Sequence, residues 1–193
     1  FKAAYPSLSR KFIFKALRAA GVPEHVIASV RELYKHNKHF FSFRNLHKYA
    51  FDAHSGVRQG CPLSSAIFVI VTDAIIRYIN FLLPVDIVFK AFCDDFAFVL
   101  KFPWRDLPIL ATIFANIGLA SALHLNLCKC KLIPTWDVNL TQFRNLLREH
   151  CPFWANISIV KSAEFLGFFL GPDAHLHVWV KPLAKFANRV ACI

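Results

Sequence analysis

Ala91-Phe92-Cys93-Asp94-Asp95-Phe96-Ala97-Phe98-Val99 sets two adjacent carboxylates inside an apolar, aromatic run. Burying an unpaired carboxylate costs several kcal/mol, so neighbours in such a setting need either a cation or exposure at a tight turn. Residues 85–93 and 96–100 are rich in β-branched and aromatic side chains, which predicts two strands with Asp94 and Asp95 at the tip between them. A divalent metal bound there satisfies both conditions. Mg²⁺ takes oxygen ligands, one or two protein carboxylates plus substrate phosphates, and two such ions about 3.5–4 Å apart stabilise both ends of an in-line phosphoryl displacement. Asp-Asp also suits an ordinary turn in which each side chain bonds its own backbone, and the residues alone leave both readings open.

The rest of the chain frames that pair. Its 193 residues, 56% of them hydrophobic, suffice for one core or for a share in a larger one. A formal net charge of +11 asks for an anionic partner, a phosphate polymer first and acidic lipid second. The cations between Lys2 and Lys48 are scattered, which predicts a broad positive groove, although scattered cations also simply solvate a surface. The six cysteines form no C-x-x-C pair and no secretory signal opens the chain, so a reducing intracellular compartment is expected, with neither a disulfide nor a structural metal. Residues 107–128 carry no formal charge, yet Asn116, Gly118, Ser121, His124 and Asn126 interrupt them, and a buried core helix is expected rather than a membrane span.

Taken in order, residues 7–20 carry apolar side chains at helical spacing, with Ser7 as N-cap and Gly21 as stop. A second helix is expected over 23–35, a hairpin around Asn45 within 39–52, and an apolar helix over 66–81. Ahead of that helix, Ser55-Gly56-Val57-Arg58-Gln59-Gly60-Cys61-Pro62-Leu63-Ser64-Ser65 exposes backbone amides at a helix start, which together with Arg58 can hold a phosphate. Beyond the carboxylate pair come a helix over 106–123, a short strand over 129–133 with Lys129 and Lys131 on one side, and a helix over 141–150. A strand over 162–170 is expected to turn at Gly171-Pro172 and pair with 175–180, and a helix to run from 181 to Cys192. The chain opens on Phe1 and contains no Met, which predicts a piece of a longer polypeptide.

In this order the chain resembles the palm of reverse transcriptases (RNA-directed DNA polymerases), particularly those of non-LTR retrotransposons and group II introns. Phe1-Lys2-Ala3-Ala4-Tyr5 is similar to the end of the family's first palm motif, the string from Ser55 to Ser65 to its Gly-Val-Arg-Gln-Gly-Cys-Pro-Leu-Ser loop, and Phe92-Cys93-Asp94-Asp95 to its aromatic-x-Asp-Asp hairpin. Gly118-Leu119 through Asn126-Leu127-Cys128-Lys129 resembles the following helix and lysine motif, and Phe165-Leu166-Gly167 the primer-grip hairpin. The resemblance implies an α+β polymerase palm over residues 1–180, an antiparallel β-sheet backed by helices with fingers and thumb largely missing. Residues 181–193 would begin a thumb or connection helix.

It further implies two-metal transfer of a dNTP onto a primer 3′-hydroxyl along an RNA template, with Asp94 and Asp95 holding two Mg²⁺ ions, or Mn²⁺ in their place. Tyr5 matches the aromatic that underlies the incoming sugar and rejects a ribose 2′-hydroxyl; Arg58, Gln59 and Gly60 match the loop that meets nucleotide and template. Lys129, or Lys131 in its stead, matches the lysine that protonates pyrophosphate, and Phe165, Leu166 and Gly167 match residues that press on the primer end. The implied partners are an RNA template, a DNA primer, dNTP and further domains of the parent polypeptide, without a membrane, and in the nucleus for a eukaryotic retrotransposon. The family's first metal-binding Asp falls just ahead of Phe1, so these 193 residues alone are expected not to polymerise. Cys93 stands where Ala is usual, Ser65 where Pro is usual, and Tyr5-Pro6 where Phe-Asp is more frequent. Two other classes stay in view: a nucleic-acid-binding remnant or domesticated module without catalysis, and a membrane-associated protein, which would partition into detergent instead of binding primer–template in a salt-sensitive way.

Overall fold

The structure, a computed structural model, describes residues 1–191 other than Ala3 and Asn45, and Lys181 by its backbone alone. Tyr5-Pro6-Ser7 is drawn into a single helical turn, α1 (Ala4–Ser7), so the helix expected from Ser7 begins later, as α2 (Arg10–Ala19). Ser9 caps it instead, its hydroxyl accepting from the Phe12 N–H at 3.5 Å. Ile13, Ala16 and Leu17 line its buried side, and Gly21 at φ +77° lets the chain leave for α3 (Glu24–Tyr34), which Pro23 opens. Ile27, Val30 and Tyr34 are the buried residues of α3, again at helical spacing.

These helices belong to the first of two compact units, residues 1–101 with 112–125; the second comprises 102–111 with 126–193. In the first unit, β1 (Lys38–Phe43) and β2 (Leu46–Asp52) form an antiparallel hairpin whose expected centre, Asn45, lies outside the described residues. The 21-residue α4 (Pro62–Leu82) starts four residues before the expected helix, because Pro62 suits a first turn where no N–H partner is needed. By length and composition α4 could cross a membrane, but Ser64, Ile67, Phe68, Val71, Thr72, Ile75 and Ile79 form a buried stripe, and the helix packs against α2. Fully burying a side chain of this size contributes about 1.5–3 kcal/mol. The strands β3 (Val88–Phe92) and β4 (Asp95–Val99) then pair antiparallel, and the later part of α5 (Pro103–Ser121) adds Ile113, Phe114 and Ile117 to this core.

In the second unit, the start of α5 precedes the expected Asp106 because Asp106 reaches back: its fully buried carboxylate accepts from the Phe102 N–H at 3.3 Å and from Arg105 Nε at 2.6 Å. Leu107 and Leu110 are buried, and Trp104 lies 4.8 Å from the Phe143 ring of α6 (Leu140–His150). Asn139 caps α6 by accepting from Thr141 and Gln142 N–H groups. The strand expected over 129–133 shrinks to β5 (Lys131–Leu132), parallel to β6 (Ser158–Ile159). Lys129 instead sits in a turn that the Asn126 carbonyl closes, accepting from the N–H groups of Lys129 and Cys130, so Lys129 and Lys131 do not share a strand.

The hairpin expected to turn at Gly171-Pro172 turns earlier. β7 (Ala163–Phe165) pairs with β8 (Phe168–Leu170) across Leu166 and Gly167, both at positive φ (+51° and +85°), the signature of a type I′ two-residue loop. Residues 175–180 are therefore not a strand; the chain enters a 3-10 turn, Ala174–Leu176, and α7 (Val180–Val190), while Cys192 lies outside the described residues. Helices with two-stranded sheets, antiparallel except for the β5–β6 pair, make an α+β fold in which the expected sheet appears as separate pairs among the described residues.

Candidate active site

Strand alternation decides where the two carboxylates point. On β4, Phe96 and Phe98 turn inward: Phe96 meets Phe1 edge-on at 5.4 Å, Phe98 stacks on Phe89 at 4.7 Å, and both rings lie within 6.3 Å of Phe114. Asp95, in register with Phe92, is thus turned to the outer face with Lys90 and Val88. Asp94 and Cys93 form the two-residue loop, and Cys93 takes φ +53°, a left-handed conformation that glycine adopts more readily. Both aspartates are exposed, and neither carboxylate has a hydrogen bond or ion pair among the described residues. Four hard oxygens on adjacent residues, with no protein cation engaging them, fit one divalent cation that brings water or phosphate oxygens of its own. Among the described residues no three His, Cys, Asp or Glu gather into a closed metal cage.

The segment 1–8 runs from this hairpin to the glycine loop. Phe1 touches Phe96, and four residues on the Tyr5 ring stacks on Phe68 of α4 at 4.5 Å and 15°. The Tyr5 carbonyl accepts from Val57 N–H at 2.9 Å, the Leu8 carbonyl from Gly56 N–H at 2.7 Å, and the Pro6 carbonyl from the Ser55 hydroxyl at 2.9 Å. Gly56 has φ +75°, and a Cβ there would collide with the Pro6 backbone, so only glycine allows this close approach. Of the first palm-motif string, Ala3 lies outside the described residues.

Beyond Val57 the loop is held from the other side by residues that sequence reading missed. Arg58 donates its Nε and Nη2 to the buried Asn37 Oδ1 at 3.0 and 2.9 Å, while its Nη1 has no partner among the described residues. The Ser64 hydroxyl donates to the Arg58 carbonyl at 2.5 Å, which leaves the Tyr34 hydroxyl as donor to Ser64 Oγ at 3.3 Å and as acceptor of the Arg58 N–H at 3.4 Å. Below them Arg10 donates to the Tyr34 carbonyl at 2.8 Å and the Ala53 carbonyl at 2.6 Å; burial lowers its pKa, with the charge of Arg58 a lesser contribution in the same direction. Tyr34 reads in sequence as one more core position of α3 and Asn37 as a solvated loop residue, so no spacing signal marks them.

Gln59 and Gly60 stay exposed, and Gly60 at φ +81° has open space around its Cα. They lead into α4, whose N-cap Cys61 offers no side-chain hydrogen bond; Pro62 has no N–H and the Ser64 N–H donates to the Cys61 carbonyl at 3.0 Å, which leaves the Leu63 N–H as the first-turn donor open to an anion. The segment 1–8 thus meets the inner face of the hairpin at Phe96 and the glycine loop at Gly56 and Val57, while Asp95 is turned to the opposite, outer face of the hairpin.

Lys129, exposed in its turn, belongs to the second unit, as do Phe165, Leu166 and Gly167 at the β7–β8 turn, where Leu166 is substantially exposed. Burial pushes the Cys130 and Cys151 thiols up from their ordinary range.

No curated protein matches the chain. The family model for reverse transcriptase (RNA-dependent DNA polymerase) matches residues 1–170, a span that takes in the Asp94–Asp95 hairpin, the glycine loop and the β7–β8 turn, and over that length the chain belongs to the reverse transcriptase family.

Proposed function

We propose that the chain performs its family's reaction, RNA-templated addition of a dNTP to a primer 3′-hydroxyl, in a palm over residues 1–180 with a thumb or connection helix beginning at 181. Reverse transcriptases as a class are nucleotidyltransferases that bind template, primer and dNTP and use divalent metal ions. The motif strings favour the non-LTR retrotransposon and group II intron branch, working inside the cell. The observation that carries the reading is the segment 1–8, which touches Phe96 beside Asp95 at one end and bonds the glycine loop at the other.

Divalent cations, Mg²⁺ by oxygen preference, would supply charge neutralisation on phosphate oxygens and a more acidic 3′-hydroxyl. Asp94 and Asp95 would hold them. The Tyr5 ring, held in place by its stack on Phe68, underlies the sugar and selects against a 2′-hydroxyl. Gln59 and Gly60 meet nucleotide and template, and Arg58 offers its remaining Nη1 donors to a phosphate oxygen. Lys129, or Lys131, donates a proton to pyrophosphate, and Phe165, Leu166 and Gly167 bear on the primer end.

The test is primer extension by the polypeptide with its natural flanking sequence. Loss of several kcal/mol of charge stabilisation in Asp94→Asn lowers extension by about a thousand-fold or more, while duplex binding stays largely intact. Normal extension by that variant removes the metal role. One observation favours a second reading, a nucleic-acid-binding module without catalysis: the described residues bring no third ligand to Asp94 and Asp95. Duplex binding without any extension by the natural polypeptide would decide for it.

A further inference from the structure

The β1–β2 hairpin leaves a set of large rings in solvent. Phe41 and Phe43 are 71% and 68% exposed, and Phe51 is 54% exposed. Cross-strand pairs share a face, so the register Phe41↔Lys48 and Phe43↔Leu46 puts these two rings beside the Lys48 ammonium. Past the irregularity between His39 and Phe40, the His39 and Phe51 rings lie stacked at 4.8 Å and 8°. At the tip the Arg44 guanidinium lies 5.3 Å from the centre of the Phe43 ring. The hairpin carries three Lys and Arg against the single acid Asp52, and neither Arg44 nor Lys48 has an ion-pair partner among the described residues.

An unpaired apolar face alone would suit a protein segment. Here cations alternate with rings and no carboxylate answers them, in a chain of net charge +11, so the complement is a ligand that is both anionic and flat-ringed. Phe41 and Phe43, two residues apart on β1, are about 6.6 Å apart, which leaves these two rings separately open to a base, while Phe51 offers the ring face turned away from His39. Base–aromatic stacking is indifferent to sequence because every base has a π-face, and cations between the rings track the phosphates. We propose that this face of the β1–β2 hairpin binds single-stranded nucleic acid, with Phe41, Phe43 and Phe51 stacking bases and Lys48 and Arg44 meeting phosphates. The proposal rests on the nucleic-acid reading of the chain, not on its catalytic part.

The experiment is fluorescence anisotropy of the 193-residue chain with a labelled twelve-nucleotide oligo-uridylate, beside a hybrid primer–template duplex without overhang. Removing both rings in Phe41→Ser/Phe43→Ser weakens single-strand binding at least about five-fold per ring, the lower end for stacking, and leaves duplex binding unchanged. Lys48→Ala lowers the slope of log affinity against log salt by about one. Crosslinks from 5-iodouridine fall on the peptide 38–52. Wild-type chain that binds neither oligonucleotide overturns the nucleic-acid reading itself. Wild-type binding of both, with the double variant equally tight on the single strand, overturns the hairpin proposal alone. Concentration-dependent dimerisation of the chain that vanishes in the double variant, with oligonucleotide binding intact, assigns the face to a second copy instead.

Discussion

Two hairpins of the first unit, β1–β2 and β3–β4, draw on nearly the same aromatic and aliphatic residues and present opposite surfaces. In β3–β4 one row of side chains, Phe89, Phe96 and Phe98, finds Phe114 and Phe1, and the other row faces solvent. Because a one-residue slip would send those rings into water, burial of one row fixes the register and with it the outward aim of Asp95. In β1–β2 neither row is buried: Phe40, Phe41, Phe43 and Tyr49 are all more than half exposed. A buried face turns a hairpin into a rigid mount for two carboxylates at its tip. An unburied one leaves rings and cations free for a ligand.

After the thousand-fold loss of extension expected for Asp94→Asn, the largest effect that would sharpen this contrast is on stability. Phe96→Ala should lower the unfolding free energy by about 2–3 kcal/mol in urea titrations, somewhat below the cost for a fully buried ring because Phe96 is only half-buried. Cys93→Gly should raise it by about 1 kcal/mol by relieving the left-handed loop residue, with β3–β4 amides exchanging more slowly. Phe41→Ala should change it by less than about 0.5 kcal/mol, as expected for a ring that is 71% exposed. Equal losses for Phe96 and Phe41 would break the comparison, since both hairpins would then be mounted on a core.

Both hairpins were legible in the sequence, though not which of them is buried. Apolar residues at helical spacing marked the helix that runs as α2, helices were expected where α3, α4 and α6 lie, and the two aspartates between aromatic strands marked the tip. Three features were not. Lys129 alternates with apolar neighbours like a strand residue, but the Asn126 carbonyl captures its N–H and bends the chain. Gly171-Pro172 is the stronger turn signal, yet the chain turns at Leu166-Gly167, where a leucine accepts a positive φ that its identity does not advertise. Tyr34, Asn37 and Ser64 converge on Arg58 from segments more than twenty residues apart or from the next helix, and no local pattern records a convergence made by tertiary packing.

Uptake of Mn²⁺ followed by electron paramagnetic resonance, with primer–template and dNTP present, reads the Asp94–Asp95 site without relying on turnover. The wild-type chain should take up more ion than the same dNTP and primer–template bind without protein, and Asp94→Asn/Asp95→Asn should return uptake to that protein-free level while still binding the duplex. Equal sequestration by both would contradict the assignment of these two carboxylates as the metal-holding pair.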